Sequence, residues 1–282
     1  MFPVKIPTVI PTAVTSKRTS VNINNNFGVN LLIGLEDILL YPIAPQIKDI
    51  NNNIVYDSNL IESDSFSYFV KDINLNSHSK YFVNLICEDV RGNKFIKDTY
   101  FFTTISKNEW IGSWIGCPTN FAGAALDFRY SFNVKKKVKQ AFIYCAGLGY
   151  CDFYINGHKY DDSFFNPGFT GYNKTILYNT YDVTNNLLVG ENSIGFEVGY
   201  GWYGNRQLLM QGYIEYEDGE LDEIHSQFGN GWVCGPSSVT SNSVFGGETY
   251  DATIDNKRIG NWSENGDYRC FYKWMYVILV DG

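Results

Sequence analysis

Residues 150–157 read Tyr-Cys-Asp-Phe-Tyr-Ile-Asn-Gly, a strand-like run that ends in an Asn-Gly pair. Because Asn156 and Gly157 both tolerate a positive φ, such a pair between two strand-like runs is a strong signal for a tight β-hairpin. Similar strand patterns recur at 128–134, 141–146, 175–182, 193–198, 207–216 and 231–233. Since no segment carries a convincing apolar stripe at helical spacing, these patterns predict an all-β fold.

The composition favours the same class of fold. Aromatic residues make up 17% of the chain, with 21 Tyr and 20 Phe against 3 Met, and this bias favours strands over helices. Apolar residues at 44% and charged residues at 18% are typical of a globular chain. A length of 282 residues predicts two domains, each large enough to bury its own core.

The chain changes character near residue 106. The preceding part is rich in Asn, with turn-like runs at 24–26 and 51–53 between short strand patterns. Those patterns lie at 30–34, 54–58, 66–70, 81–88 and 99–103. We therefore predict a fibronectin type III-like or immunoglobulin-like β-sandwich over residues 1–106. The richer strand patterns that follow predict a jelly-roll β-sandwich over residues 107–282.

Charge and hydropathy exclude several partners. The formal net charge is −8, which argues against nucleic acid. We interpret the one basic run, Lys135, Lys136, Lys137 and Lys139, as a solvated turn, and the acidic stretch 215–223 as a polar hairpin that turns at Asp218-Gly219. No run approaches the roughly 20 apolar residues that span a bilayer. Pro3, Pro7 and Pro11 leave no signal-peptide core at the N-terminus. These patterns predict a cytoplasmic protein with no membrane partner.

The cysteines follow neither a metal-binding nor a redox spacing. Six are scattered without a CxxC pair, at Cys87, Cys117, Cys145, Cys151, Cys234 and Cys270. Several of them fall inside apolar strand patterns, so the sequence favours reduced core thiols over disulfides or zinc ligands.

One loop, residues 199–204, reads Gly-Tyr-Gly-Trp-Tyr-Gly and so matches the dinucleotide fingerprint G-x-G-x-x-G. That fingerprint must open a helix, but a strand pattern follows here. The loop is better interpreted as an aromatic platform for a pyranose ring, with ring faces from Trp202 and Tyr203 and polar groups from Asn205 and Arg206. The alternative is that Trp202 fills the core between two sheets.

A second candidate site lies between residues 161 and 172. Its candidate ligand-binding residues are Asp161, Asp162, Asn166, Phe169 and Tyr172. Oxygen-rich loops of this kind hold hydroxylated ligands, or a calcium ion that bridges to one. The alternative is a solvated turn without a ligand.

The sequence indicates no complete catalytic centre. Two acidic pairs, Asp161 with Glu197 and Glu248 with Asp251, could meet the 6.5–9.5 Å spacing of an inverting glycosidase, and the sequence does not exclude them. The three histidines, His78, His158 and His225, stand far apart and indicate neither a metal triad nor a Ser-His-Asp set. We therefore assign no catalytic residue.

Several motifs together closely resemble the N-terminal β-domain of bacterial α-L-rhamnosidases. They lie at 144–150, 154–157, 166–170, 178–184, 190–192, 201–203 and 247–252. Upstream, 55–58, 61–63, 81–83, 89–92 and 114–116 look like the fibronectin-type domain that precedes it in those enzymes. Phe169 departs from the pattern, since a Trp is usual there, and a smaller ring would stack more weakly on a sugar.

The resemblance implies a role and a partner. In this family a helical (α/α)6 barrel downstream of these domains hydrolyses terminal α-L-rhamnosides with inversion. The resemblance thus implies a non-catalytic, carbohydrate-recognising portion of such an enzyme, with a rhamnose-containing glycan as partner and the barrel normally in the same chain. Related jelly rolls include rhamnose-binding modules, some of which use calcium. The alternatives are a purely structural scaffold for the barrel and an active α-L-rhamnosidase in its own right.

Overall fold

The structure is a computed structural model. It describes residues 13–14, 19–24, 28–33, 40–61, 67–71, 73–89, 94–103, 105, 109–174, 176–202, 206–255 and 275–280. The chain divides into two compact units. The described residues between 13 and 105 belong to the first unit, and those between 109 and 280 to the second.

The described part of the first unit forms two antiparallel sheets of four strands each, β1-β2-β3-β6 and β5-β4-β7-β8. The strands are β1 (Ala13–Val14), β2 (Thr19–Asn24), β3 (Gly28–Ile33), β4 (Leu40–Asp49), β5 (Ile54–Asp57), β6 (Ser67–Lys71), β7 (Lys80–Asp89) and β8 (Lys94–Phe102). Along β7, Tyr81 and Val83 are buried while Phe82 between them is exposed, because successive strand residues face opposite sides. Tyr81 stacks on Phe101 within a small apolar core.

The second unit contains two larger antiparallel sheets, β13-β12-β15-β10-β18-β21 and β14-β11-β16-β9-β22, with β17 beside β16 and a separate β19-β20 pair. Its elements are β9 (Ile115–Gly116), β10 (Leu126–Val134), β11 (Val138–Leu148), β12 (Cys151–Ile155), β13 (His158–Lys159), β14 (Asn179–Asp182), β15 (Gly190–Val198), β16 (Gln207–Tyr216), β17 (Leu221–His225), β18 (Val233–Pro236), β19 (Val239–Ser243), β20 (Gly247–Tyr250), α1 (Ala252–Asp255), β21 (Met275–Tyr276) and β22 (Ile278–Leu279).

One apolar core joins the two large sheets. It includes Phe128 and Phe196 from the first sheet and Ile143 and Met210 from the second, all essentially inaccessible to solvent. Side chains from two inner sheet faces that meet in one core define a β-sandwich. The predicted all-β class is therefore confirmed. Among the described residues no helix has the length and apolar character needed to cross a membrane.

The Asn156-Gly157 hairpin is confirmed. It joins β12 to β13, with Ile155 opposite His158, and both turn residues have positive φ, 47° and 88°. The side chain of Asn156 also accepts a hydrogen bond from the Ser193 amide at 2.9 Å. The hairpin is thereby fixed to β15 as well as to its own strands.

The strand predicted over 175–182 is shorter than expected, since β14 begins only at Asn179. Tyr178 is buried before the strand starts, where its ring meets those of Trp110 and Tyr144 edge-on at 5.3 and 6.1 Å. Aromatic packing therefore replaces ladder hydrogen bonds at this point.

The basic run is more than a solvated turn. Lys135, Lys136 and Lys137 connect β10 to β11, and Lys139 lies within β11. The run lies opposite the acidic β16–β17 hairpin, whose turn includes Gly219 at φ 85°. The ion pairs are Lys135–Asp222 (2.8 Å), Lys136–Asp218 (2.5 Å), Lys136–Glu220 (2.7 Å), Lys137–Glu217 (2.5 Å) and Lys139–Glu215 (2.8 Å). The hairpin therefore neutralises the positive charge of the run.

Candidate functional site

Three aromatic rings form a continuous exposed strip on the second unit, and we call them the aromatic strip. Phe169 and Phe245 both contact Trp202, with ring centroids 5.1 and 5.2 Å from the indole. The exposed fractions are 51% for Phe169, 42% for Trp202 and 88% for Phe245. Trp202 is therefore not a plug between the sheets, and its ring lies where a ligand from solvent could reach it.

The loop that carries Trp202 is tied to the neighbouring loop after β11. The Gly199 amide donates to the Tyr150 carbonyl at 2.7 Å, and the indole Nε1 of Trp202 donates to the Tyr150 hydroxyl at 2.6 Å. At Gly201, where φ is 55°, a Cβ would lie 2.8 Å from the Cα of Gly149. The glycines thus serve close backbone packing, and the loop continues into strand β16 rather than a phosphate-binding helix.

Arg206 lies beneath this loop rather than on its surface. Its side chain is 5% exposed, and its guanidinium donates to the carbonyls of Phe121 and Ala124 at 2.8 and 2.6 Å and to Asn120 Oδ1 at 2.6 Å. Burial lowers the pKa of Arg206. The structure therefore gives Arg206 an anchoring position, whereas the sequence predicted direct ligand contact. Two other predicted residues, Tyr203 and Asn205, lie outside the described residues.

The second predicted loop reaches the strip through its aromatic end. Phe169 contacts Trp202, and the Tyr172 hydroxyl hydrogen-bonds the backbone of Gly149 at 3.3 and 3.4 Å. Asn166 accepts a hydrogen bond from the Cys151 amide at 2.6 Å through its carbonyl. Phe169 and Tyr172 are thus brought to the Trp202 loop.

The acidic end of the same loop is largely self-contained. Asp161 accepts hydrogen bonds from the amide and the hydroxyl of Ser163, and the Asn166 side-chain amide donates to that hydroxyl. Asp162 is exposed. Within the described ranges, no group of three or more His, Cys, Asp or Glu side chains could hold a metal ion.

A cleft of about 420 Å³ adjoins the strip. Gly201 and Val244, the chain neighbours of Trp202 and Phe245, line it. Its other lining residues include Tyr150, Phe164, Phe165, Asp152, Glu197, Asn242 and Glu248. Clefts that combine ring faces with a few polar groups are typical of small-ligand sites.

Sequence reasoning missed Phe165 and Phe245. Phe165 has φ 59° and packs edge-on against Tyr150 at 5.1 Å. The available signal was the adjacent pair Phe164-Phe165 in a polar loop. For Phe245, the signal was its position directly before Gly246-Gly247, a pair typical of a turn.

Three carboxylates of the suggested catalytic pairs, Asp161, Glu197 and Asp251, have hydrogen-bond partners within the fold. Glu197 accepts from the Ser237 hydroxyl at 2.5 Å. Asp251 accepts from the amide and the hydroxyl of Thr253 at 2.9 and 2.7 Å, at the start of α1.

The second unit matches a known family. The family described as the α-L-rhamnosidase N-terminal domain matches residues 136–279, about half of the chain. This chain belongs to that family. Within the described residues, the matched region of this rhamnosidase N-terminal domain contains the aromatic strip and nearly all of the cleft.

Relatives in sequence are α-L-rhamnosidases. An α-L-rhamnosidase of Formosa agariphila is 31% identical over 160 residues, which cover 50% of this chain and 16% of that relative. Another, of Streptomyces avermitilis, is 34% identical over 169 residues, which cover 55% of this chain and 16% of that relative. The matched parts thus make up about one sixth of these enzymes.

Solved structures show the same fold. The α-L-rhamnosidase of Dictyoglumus thermophilum superposes with a TM-score of 0.71 at 27% identity, covering 92% of this chain and 32% of that one. That of Aspergillus terreus gives a TM-score of 0.73 at 22% identity, covering 96% of this chain and 33% of that one. The rhamnosidase N-terminal domain described here therefore shares its β architecture with parts of these enzymes.

Proposed function

We propose that this chain is a carbohydrate-recognising portion of an α-L-rhamnosidase-type glycoside hydrolase, and that the aromatic strip and its cleft receive a rhamnose-containing glycan. The observation that carries the proposal is the exposed ring of Trp202, in contact with Phe169 and Phe245 at about 5 Å beside a cleft with carboxylate and amide groups.

The chemistry of the site suits a deoxy sugar. The C–H face and methyl group of rhamnose are apolar and can lie on an aromatic ring. Its hydroxyls then meet the polar groups of the cleft, such as Asn242 and Glu248. Sugar hydroxyls must give up water to bind, and the strip is open to solvent. We therefore expect weak affinity for a single monosaccharide and stronger affinity for a longer glycan.

We further propose that hydrolysis belongs to a separate catalytic domain of the enzyme. The internal hydrogen bonds of Glu197 and Asp251 support this division. A chromogenic α-L-rhamnoside is the direct assay. We expect no turnover by the purified chain, and turnover that disappears when one acidic side chain is changed would contradict the proposal.

The binding test is a titration of the ¹⁵N-labelled chain with L-rhamnose, with and without calcium. We expect saturable shifts of amides around the cleft, and we expect Trp202→Ala to abolish them because the central ring of the strip is lost. Phe228→Ala is the matched control, since Phe228 is an exposed aromatic residue outside both strip and cleft. Shifts that survive Trp202→Ala would place the sugar elsewhere.

A scaffold role is the second candidate, and the same strip favours it. Contiguous exposed aromatic residues also mark surfaces that another domain covers. If neither L-rhamnose nor rhamnose-containing oligosaccharides cause saturable shifts of the amide signals, the scaffold role is favoured.

A further inference from the structure

Two cysteines from different sheets of the second unit are in direct contact. The Sγ atoms of Cys117 and Cys234 are 2.8 Å apart. Cys234 lies in β18, and Cys117 directly follows β9, which belongs to the facing sheet. A disulfide has a sulfur separation of about 2.05 Å, so the two atoms need to approach by roughly 0.8 Å.

The two thiols differ in reactivity. Cys117 is partly exposed, while Cys234 is fully buried. The hydrogen bond donated by Cys234, with help from the Thr119 backbone and the positive charge of Arg206, lowers the pKa of Cys117. The same contact raises the pKa of Cys234. Cys117 is therefore the accessible nucleophile, since the thiolate is the reactive form, and Cys234 is placed to react second.

We propose that Cys117 and Cys234 form a reversible disulfide that joins the two sheets of the sandwich. The oxidant is a low-molecular-weight disulfide such as oxidised glutathione. The Cys117 thiolate attacks one glutathione sulfur, forms a mixed disulfide and releases one glutathione thiolate. Cys234 then attacks Cys117 Sγ, and its proton passes to the departing glutathione thiolate, which leaves as the second reduced glutathione. The protein dithiol loses two electrons, and one oxidised glutathione becomes two reduced molecules.

A second thiol pair provides an internal comparison. Cys145 on β11 and Cys151 on β12 also share a hydrogen bond. Both side chains are almost completely buried, so a dissolved oxidant cannot reach either sulfur in the folded chain. Because Cys117 is accessible to a dissolved oxidant, we expect the disulfide at the Cys117–Cys234 pair and not at the Cys145–Cys151 pair.

To test the proposal, the folded 282-residue chain is treated with oxidised glutathione. Remaining thiols are then blocked at acidic pH, and the peptides are mapped by mass spectrometry. We expect a Cys117–Cys234 cross-linked peptide that is lighter than the two thiol peptides by two hydrogen atoms. The cross-link closes a loop of 117 positions, so we expect Tm to rise by about 4 to 16 °C. Dithiothreitol should reverse both changes.

Two variants complete the experiment. Cys117→Ser should lose the cross-link and the rise in Tm, whereas Cys145→Ser should keep both. If Cys117→Ser fails to fold, the peptide map of the unmodified chain decides alone. A map that shows stable glutathione on Cys117, no oxidation of either residue, or a bridge to Cys87 or Cys270 would overturn the proposal.

Discussion

Gly149 occupies a position where a side chain would overlap with the backbone of a neighbouring loop. Its φ is 131°, and a Cβ added there would lie 1.9 Å from the Gly199 carbonyl oxygen. That oxygen belongs to the backbone of the Trp202 loop, so it cannot move aside as the end of a side chain could. The close approach of two loops at this point sets the position of the aromatic strip.

We expect Gly149→Ala to lower the free energy of unfolding by about 3 kcal/mol, through steric overlap added to backbone strain. Gly219→Ala is the matched control, because Gly219 has φ 85° but nothing within 4 Å of the added Cβ. Gly219→Ala should lower the free energy of unfolding by about 1 kcal/mol. Urea unfolding followed by tryptophan fluorescence measures both. Equal losses would mean that the contact with Gly199 is unimportant.

At the scale of elements, the β16–β17 hairpin and the lysine run opposite it make stability depend on pH. Burial raises the pKa of Asp222, but hydrogen bonds from Lys135 and Tyr216 outweigh it, so the net pKa is lowered. A carboxyl with a lowered folded pKa contributes stability above its unfolded pKa, about 4. That contribution is lost as the pH falls through the folded pKa.

Asp222→Asn should therefore reduce stability at neutral pH, by about 1 kcal/mol or less because the pair is partly solvated. The variant and the unmodified chain should converge as the pH falls below about 4. Urea midpoints over this range give the measurement, with the exposed Asp162→Asn as control. A difference that stays constant down to the lowest pH would show that the charge of Asp222 contributes nothing.

Local signals in the sequence were enough for many elements. Asn156-Gly157 specified the β12–β13 hairpin because the two residues favour the required φ by themselves, and the predicted strand 207–216 has the bounds of β16. The start of β14 could not be predicted in this way. It depends on Tyr178 packing with Trp110, a contact between distant parts of the chain.

The candidate site shows the same division. Exposed aromatic residues in Gly-rich loops pointed to Trp202 and Phe169. The anchoring position of Arg206 was hidden, because its partners Phe121 and Ala124 lie more than 80 positions away. An arginine at a surface and one held by distant carbonyls look the same in sequence. Phe245 joins the strip only because the β19–β20 turn folds against the Trp202 loop.

At the scale of the whole molecule, each unit has an apolar core of its own. All six tryptophans lie between residues 110 and 274, so tryptophan fluorescence reports on the second unit alone. The strip, the cleft and the Cys117–Cys234 pair all belong to that unit.

We therefore expect residues 108–282, produced separately, to fold and to unfold in one cooperative transition. Its midpoint by tryptophan fluorescence should lie within about 3 °C of that of the full chain, a shift that corresponds to about 1 kcal/mol. Far-UV circular dichroism of both proteins is the control for strand content. A loss of cooperativity, or a much lower midpoint, would show that the second unit depends on the first.

Both described ends of the Trp202 loop are held by hydrogen bonds. At one end, the Gly199 amide donates to the Tyr150 carbonyl and the Tyr200 amide donates to Asn242. At the other end, the Arg206 guanidinium donates to backbone carbonyls. If the strip binds a glycan as proposed, a surface held at these two ends needs little rearrangement on binding. Competing sugars should then have similar association rates and different dissociation rates, so that selectivity would depend on the lifetime of each complex.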